Sequence, residues 1–305
     1  MVNLQIDPSL DGQRLDLAVH RLGDGLSRSM ARRLCEIGAV ALDDVRGAPG
    51  DRVRAGATIA WNEVEVGTSL ALGLPVVHAD DSLLVVHKPP GLAAHGGPLV
   101  DDSVAARIEL VFGGEGVGLV HRLDREASGL LALGRGRDAL RALAAALESG
   151  AIRRSYLAGV HGRPERDAFE IDLPLRVLDE PRGDQPKTVV DEADGQPARS
   201  EIRVLGRTAQ AALVEVRLHS GRTHQIRAHL AAVGHPLLGD PRYGDPAVND
   251  AVRATYGVRR MLLHAAELCL PSPATGRTLE LRAMHEPDFL RCFRSILRPR
   301  TPAAE

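Results

Sequence analysis

The sequence predicts an α+β fold with a mixed, largely antiparallel central sheet, flanking helices and a small N-terminal α/β domain. Short apolar runs typical of strands follow one another with only a few helical patterns between them. Regular strand–helix alternation is missing, and so is a phosphate-binding Gly-rich loop that ends in Lys-Ser or Lys-Thr. These observations favour α+β over a doubly wound parallel sheet.

The first 61 residues have the pattern of a small domain. Apolar spacing predicts helices over 14–21 and 27–37, with Ser27 as the N-cap of the second helix. Gly38 then precedes short strand patterns at 39–42 and 58–61. We expect a domain over 1–61, a linker over 62–75, a larger domain over 76–298 and a tail over 299–305.

The larger domain has mostly strand patterns. Helices are predicted over 138–149, with Asp138 as cap and Gly150 as stop, and around 226–233. Strands are predicted over 82–87, 118–124, 130–134, 152–160, 211–218, 262–270 and 279–281.

Charge and composition narrow the possible partners. The 305-residue chain has a net charge of −2, so no global positive field draws it to nucleic acid, and any such contact must come from local clusters. Cys35, Cys269 and Cys292 fit no metal or disulfide spacing. We expect a cytoplasmic protein, since neither a signal-peptide pattern nor a membrane-length apolar run is present.

A basic cluster lies on the second predicted helix. At least two of Arg28, Arg32 and Arg33 share a face, and such a cluster can contact backbone phosphates without reading sequence. A solvated helix face is the alternative.

Asp124 is the first candidate for catalysis. The apolar run 118–123 delivers it to a bend in His121-Arg-Leu-Asp124, and functional groups are often placed at such bends. An unperturbed aspartate is ionised at neutral pH and can act as nucleophile or base. Alternatively, Asp124 caps a turn or pairs with Arg122 or Arg125.

Two further segments carry candidate residues. Arg154 and Tyr156 face the same way on a strand, where a cation makes the phenol a better proton relay. Arg222 lies at a strand-to-helix junction and could pair with a carboxylate. The alternatives are a tyrosine packed at a sheet edge and an arginine that satisfies a local carbonyl.

Two kinds of hydrolytic site fit the sequence poorly. His219, His224 and His229 are spaced by five residues, which does not align them on a helix face as metal ligands. A glycoside hydrolase needs two carboxylates that flank the bond, and only Asp124 has a motif around it.

Together these segments resemble the RluA family of pseudouridine synthases. His121-Arg-Leu-Asp124 with Ser128-Gly-Leu-Leu131 is similar to its catalytic motif, Arg154-Ser-Tyr156 to its tyrosine motif, and Gly221-Arg-Thr-His-Gln-Ile-Arg227 to its arginine motif. Val86-His-Lys-Pro-Pro-Gly91 and Leu263-His-Ala265 also match. Ala127 and Arg154 replace the usual Thr and Lys. Residues 1–61 resemble an S-four-type RNA-binding domain, with Asp43-Asp44 where Asn-Gly is usual.

The resemblance implies conversion of uridine to pseudouridine in structured RNA without a cofactor or metal. It implies Asp124 as the nucleophile or as the group that assists elimination to a glycal. Tyr156 would pack on the base, Arg222 would pair with Asp124, and His121, Arg122 and Arg154 would contact substrate. Large-subunit ribosomal RNA is the preferred partner and transfer RNA the second, with a monomeric enzyme. Loop 181–197 would influence substrate choice, and a non-catalytic RNA-binding protein is the alternative.

Overall fold

The computed structural model describes residues 2–97, 100–113, 116–178 and 187–297. The chain divides into two compact units, Met1–Ile152 with Ala265–Glu286 and Arg153–His264 with Pro287–Glu305. The strands are β1 (Val2–Gln5), β2 (Val40–Leu42), β3 (Val45–Arg46), β4 (Thr58–Trp61), β5 (Val76–Ala79), β6 (Leu83–Lys88), β7 (Val117–Leu119), β8 (Ser128–Arg135), β9 (Arg153–His161), β10 (Ala168–Asp172), β11 (Leu175–Leu178), β12 (Lys187–Val190), β13 (Arg199–Arg207), β14 (Ala211–Leu218), β15 (Leu263–Pro271) and β16 (Thr278–Arg282). The helices are α1 (Leu15–Leu22), α2 (Arg28–Ile37), α3 (Val66–Leu72), α4 (Val104–Phe112), α5 (Arg137–Glu148), α6 (Gln225–Ala232), α7 (Pro246–Tyr256) and α8 (Pro287–Leu297).

The N-terminal part of the first unit is a four-stranded antiparallel sheet with α1 and α2. Its strand order is β1-β4-β2-β3. Leu15 of α1, Leu34 of α2 and Ile59 of β4 lie in one core. The Ser27 hydroxyl accepts a hydrogen bond from the Met30 amide at 3.2 Å, so the predicted N-cap of α2 is confirmed.

The turn between β2 and β3 uses its two acidic residues structurally. Asp43 and Asp44 have φ values of 51° and 62°, the left-handed conformation that a two-residue hairpin turn requires. The Asp43 carboxylate accepts from the Thr58 amide at 2.8 Å. The Asp44 carbonyl accepts from the His285 amide at 2.9 Å. These groups therefore hold the hairpin in place within the first unit.

The segment predicted as a linker contains α3. Gly73, in the left-handed conformation, ends this helix, and Val66, Leu72 and Leu74 are buried. The Asn62 amide donates to the carbonyl of Val77 at 3.2 Å, which ties β4 to β5. Part of 62–75 is thus packed helix, while the predicted domain bounds stay a prediction.

The larger sheet of the first unit is built on β6 and β8. They pair antiparallel from Leu83–Gly134 to Lys88–Gly129, and every residue of β6 is buried. β5 pairs with β6, β7 with β8, and β15 with β16, all antiparallel. Leu143 of α5 packs against Leu130 and Ile152. Gly136, not Asp138, is the N-cap of α5, and Asp138 lies in the first helical turn.

The second unit is a four-stranded antiparallel sheet with strand order β10-β13-β14-β9. β11 and β12 form a separate hairpin. β12 falls inside the predicted loop 181–197, whose residues 181–186 lie outside the described part of the chain, as does the predicted tail.

The predicted α+β class, with a large, mostly antiparallel sheet and flanking helices, is confirmed. Among the described residues, no helix is long and apolar enough to cross a membrane.

Candidate active site

The bend that carries Asp124 begins earlier than the sequence predicts. β7 ends at Leu119, not near residue 124. The Val120 amide still donates to the Ala132 carbonyl at 3.0 Å. The Ala132 amide, however, donates to Nε2 of His121 at 3.2 Å. Because the imidazole takes the place of the next backbone acceptor, the ladder between β7 and β8 stops and the chain is free to turn.

The bend leaves Asp124 between two buried residues. Leu123 is 7% exposed and Ala127 1% exposed, so both neighbours anchor the turn in the core. The Ala127 amide donates to the Asp124 carbonyl at 3.1 Å. Asp124 itself is half-buried, and Arg122 is exposed. An aspartate held this way is accessible on a backbone that has little freedom.

Lys88 stabilises the same bend through hydrogen bonds to backbone carbonyls. Its fully buried ammonium donates to the carbonyls of Pro89, Leu92 and Arg125 at 3.0, 2.8 and 3.0 Å. The Gly91 amide donates to the same Arg125 carbonyl at 2.8 Å. The residue directly after Asp124 is therefore fixed by two donors. The chain has only two lysines, so a lysine here in an arginine-rich sequence is the signal that could have identified this role.

Gly129 lies where two segments of the first unit approach closely. Its φ is +113°, and an added Cβ would collide with the backbone carbonyl of Ala265. Glycine is the residue that tolerates both the backbone angle and the missing space. The Ser128-Gly129 step thus lets β8 start immediately after the Asp124 bend.

In the second unit, β9 carries Arg154 and Tyr156 on one face, as the strand period predicts. Tyr156 is 4% exposed and lies opposite Val216 of β14. Arg154 is half-buried, and its Nη2 donates to the Ser220 carbonyl at 3.5 Å. Ser155 points to the other face, where its hydroxyl donates to Glu215 at 2.7 Å. Arg154 therefore contacts the turn that bears Arg222.

Arg222 lies between β14 and α6, the strand-to-helix junction that the sequence predicts. Its side chain is exposed, and its Nε donates to the Pro197 carbonyl at 3.3 Å. Its backbone amide donates to Oε1 of buried Gln225 at 3.1 Å. The local carbonyl contact that the sequence left open as an alternative is thus present.

The start of α6 is held by a buried ion pair. Arg227 and Asp240 form two hydrogen bonds of 2.8 and 2.9 Å with side chains 7% and 0% exposed. The Arg227 guanidinium also lies 4.8 Å from the centre of the Tyr243 ring. The Tyr243 hydroxyl is 3.0 Å from Nδ1 of His224, whose φ is +53°. His224 is thus hydrogen-bonded within the protein, as is His229, whose Nδ1 lies 2.9 Å from the Ser200 hydroxyl.

Comparison with known proteins identifies the family. The model of the family described as RNA pseudouridylate synthase matches residues 82–232. Ribosomal large subunit pseudouridine synthase C of Escherichia coli (strain K12) is 32% identical over 303 residues, which covers 93% of each chain. The protein of the same name in Yersinia pestis is 33% identical over 302 residues, 93% of this chain and 92% of that protein. The chain belongs to the RluA family of pseudouridine synthases.

Solved structures agree with this family assignment. Human RNA Pseudouridylate Synthase Domain Containing 4 is 25% identical with a TM-score of 0.58, over 72% of this chain and 92% of that one. Human RNA Pseudouridylate Synthase Domain Containing 1, at 22% identity and the same TM-score over 76% and 91%, shares the fold. This RluA-family chain is therefore an isomerase that converts uridine to pseudouridine, and the alternative of a non-catalytic RNA-binding protein is not favoured.

All six candidate residues lie inside the matched range of this pseudouridine synthase. His121, Arg122 and Asp124 belong to the first unit, and Arg154, Tyr156 and Arg222 to the second. Sequence reasoning found the motifs but missed the bracing roles of Lys88 and Gln225.

The basic cluster of the synthase is displayed on α2. Arg28 is exposed, and the side chains of Arg32 and Arg33 are 63% and 59% exposed. Glu36 lies 2.9 Å from Arg32 and 3.8 Å from Arg33. Exposed pairs of this kind are weak, so they leave both guanidinium groups able to exchange Glu36 for a phosphate.

Proposed function

We propose that this chain isomerises a uridine of large-subunit ribosomal RNA, with Asp124 as the nucleophile. The ribosomal substrate is supported by the names of the relatives, which match over 93% of this chain. The observation that carries the assignment of Asp124 is its position on a bend whose next carbonyl is fixed by Lys88 and Gly91. Transfer RNA is the alternative target, and the experiment below distinguishes the two.

The reaction needs bond exchange at a single nucleotide and no external reagent. The bond between N1 of uracil and C1′ of ribose breaks, and a bond between C5 and C1′ forms. C5 loses its proton, and N1 becomes protonated, so the atoms balance within the nucleotide and water. Asp124 either attacks the ribose carbon or assists elimination to a glycal, and neither route requires a metal or cofactor.

The other candidate residues supply the surroundings of this step. Tyr156, buried on β9, offers an aromatic ring to pack on the uracil and a hydroxyl to move a proton. The Arg222 guanidinium, exposed in the turn before α6, would supply a fixed positive charge for the reaction. Exposed Arg122 and half-buried Arg154 would contact the substrate.

His121 receives a supporting role, not the direct substrate contact that the sequence suggests. Its ring is 6% exposed, and Nε2 already accepts the Ala132 amide. It therefore acts by shaping the bend on which Arg122 and Asp124 lie.

Residues 1–61 would serve as an RNA-binding domain of the S-four type. The four-stranded sheet with α1 and α2 supports this role, because it displays Arg28, Arg32 and Arg33 on one exposed helix. Contacts from these side chains to phosphates would position the RNA without reading its sequence. As the sequence leads us to expect, we also propose that the enzyme acts as a monomer in the cytoplasm.

The test is pseudouridine mapping by carbodiimide labelling and primer extension on total RNA from cells that lack the gene. The cells are complemented with the wild type or with Asp124→Asn, which keeps the shape and removes the charge. We expect one site in large-subunit ribosomal RNA to disappear and only the wild type to restore it. A missing site in transfer RNA would overturn the ribosomal assignment. Restoration by Asp124→Asn would overturn the role of Asp124.

A further inference from the structure

One buried glutamine holds the turn 220–225, which contains Arg222. Gln225 is 2% exposed, and its Oε1 accepts from the Arg222 amide at 3.1 Å and from the Ser220 hydroxyl at 2.9 Å. Its Nε2 donates to the Arg199 carbonyl at 2.9 Å and to the Ser200 hydroxyl at 3.0 Å. A side-chain amide has two donors and two acceptor sites, so the four contacts use its whole capacity.

The partners fix which way the amide points. A backbone amide can only donate and a backbone carbonyl can only accept, so Oε1 must face Arg222 and Nε2 must face Arg199. Gln225 thereby ties the turn 220–225 to the start of β13. No other orientation of this amide satisfies both backbone partners.

A second buried side chain holds Ser200 in the orientation that Gln225 needs. Nε2 of His229, which is fully buried, lies 2.9 Å from the Leu173 carbonyl and therefore carries the proton. Nδ1 lies 2.9 Å from the Ser200 hydroxyl, which must then donate to it. Burial lowers the pKa of His229, which keeps the ring neutral and this direction intact. The Ser200 oxygen is consequently left to accept from Gln225.

The same segment also receives the Arg222 side chain. Nε of Arg222 donates to the Pro197 carbonyl, two residues before the Arg199 carbonyl that Gln225 binds. Gln225 therefore sets the position of the Arg222 backbone relative to the carbonyl on which its guanidinium rests. A small shift of this turn would displace the charge at the end of the arginine side chain.

We propose that Gln225 is a positioning residue for the isomerisation, which acts through Arg222 and is itself oriented by Ser200 and His229. This inference rests on the proposed role of Arg222. Gln225 is buried and touches neither Asp124 nor substrate in this account. Its effect on the reaction should therefore appear only while the Arg222 guanidinium is present.

The test is a double-mutant cycle measured as single-turnover release of tritium from uracil C5 on a ribosomal RNA substrate. Gln225→Met keeps the length of the side chain and removes all four hydrogen bonds. We expect the rate constant to fall about ten-fold or more. The RNA concentration that gives half of the maximal rate should stay within about two-fold of the wild-type value, because misplacement of a catalytic group slows the chemical step more than binding. In the Arg222→Ala background the same change should cost less than about two-fold, since coupled residues are not additive.

Two further variants keep the test decisive. Gln210→Met is the matched control, because Gln210 is exposed in the turn before β14, and we expect the wild-type rate. If Gln225→Met does not fold, the milder Ser200→Ala replaces it in the same cycle, with a smaller loss expected only when Arg222 is present. An equal loss in both backgrounds would mean a merely structural role and would overturn the proposal.

The outcomes also separate this inference from the proposed function. A wild-type rate for Arg222→Ala would overturn the role of Gln225, while the activity itself stands. A wild-type chain that releases no tritium from any ribosomal RNA would overturn the proposed substrate before any variant is compared.

Discussion

At the scale of single residues, the site depends on side chains that hold backbone groups in place. Lys88 fixes the carbonyl after Asp124, His121 ends the strand before it, and Gln225 fixes the amide of Arg222. Each of these side chains is buried. The proposed reactive groups are thus carried by backbone segments that buried side chains hold in place, as precise catalysis requires.

Lys88 gives the first prediction. An ammonium is compact and offers three donors, whereas a guanidinium is planar and longer, so Lys88→Arg should not fit the buried site. We expect Lys88→Met to lower the free energy of unfolding by about 3 kcal/mol, because it removes charge-assisted hydrogen bonds to three carbonyls, of which the Leu92 one is buried. Denaturant unfolding measures this change.

The only other lysine of the chain provides the control for this prediction. Lys187 is half-buried on β12, and Lys187→Arg should leave stability unchanged. A Lys88→Arg variant with wild-type stability and rate would show that the three-carbonyl contact does not matter.

The motifs of the site could be predicted from the sequence, but the bracing contacts could not. Motifs are local, so Asp124, Tyr156 and Arg222 are recognisable from their neighbours alone. Gln225, in contrast, joins residues from β13 and the turn 220–225, and His229 reaches back to Leu173. Such contacts are set by strand pairing between distant segments, which periodicity does not reveal.

At the scale of elements, the predicted helix bounds lie within about one residue of α1, α2, α5 and α6, whereas α3, α4, α7 and α8 were not predicted. The predicted helix 27–37 became α2, with Ser27 as its cap, because the capping signal is local. The strand predicted over 118–124 ended at Leu119, because the His121 ring takes the Ala132 amide. Apolar character alone predicts where a chain is buried, not which group its partner strand will bind.

The second prediction concerns RNA binding by the arginines of α2. Replacement of Arg28, Arg32 and Arg33 by glutamine should weaken RNA binding at low salt and reduce the salt dependence of the binding constant. Each lost phosphate contact changes the slope of log affinity against log salt by about 0.7 to 0.9. Filter binding or fluorescence anisotropy over a range of salt concentrations measures both effects.

A matched variant tests whether the location of these arginines matters. Arg137 and Arg141 are exposed on α5 of the same unit, and their replacement by glutamine removes two positive charges, one fewer than the α2 variant. We expect this control to bind RNA with nearly the wild-type slope. Equal losses from both sets would indicate general electrostatics and count against a binding face on α2.

At the scale of the whole chain, residues 1–61 make contacts that we expect to stabilise the first unit. Arg46 lies 3.5 Å from the buried carboxylate of Glu286, which also lies 3.6 Å from His87. The Arg46 amide donates to the His285 carbonyl at 3.0 Å. The catalytic region and residues 1–61 are therefore connected by contacts that a sequence-based domain boundary does not anticipate.

Deletion of residues 1–61 provides the third prediction. We expect a lower thermal midpoint, because the deletion removes Arg46 from buried Glu286 and breaks the backbone pairing at His285. We also expect weaker binding to the full RNA substrate with residual isomerisation at high enzyme concentration. Calorimetry and single-turnover rates measure these effects. Unchanged affinity and midpoint would contradict a role for this domain in both.

We propose above all that Asp124 of this synthase starts the isomerisation of uridine. The most direct measurement is tritium release from C5-labelled uridine in a large-subunit ribosomal RNA transcript, with purified wild-type protein and Asp124→Asn at equal concentration. We expect release by the wild type and none above background by a folded Asp124→Asn variant that still binds the RNA. Release by that variant at the wild-type rate would contradict the claim.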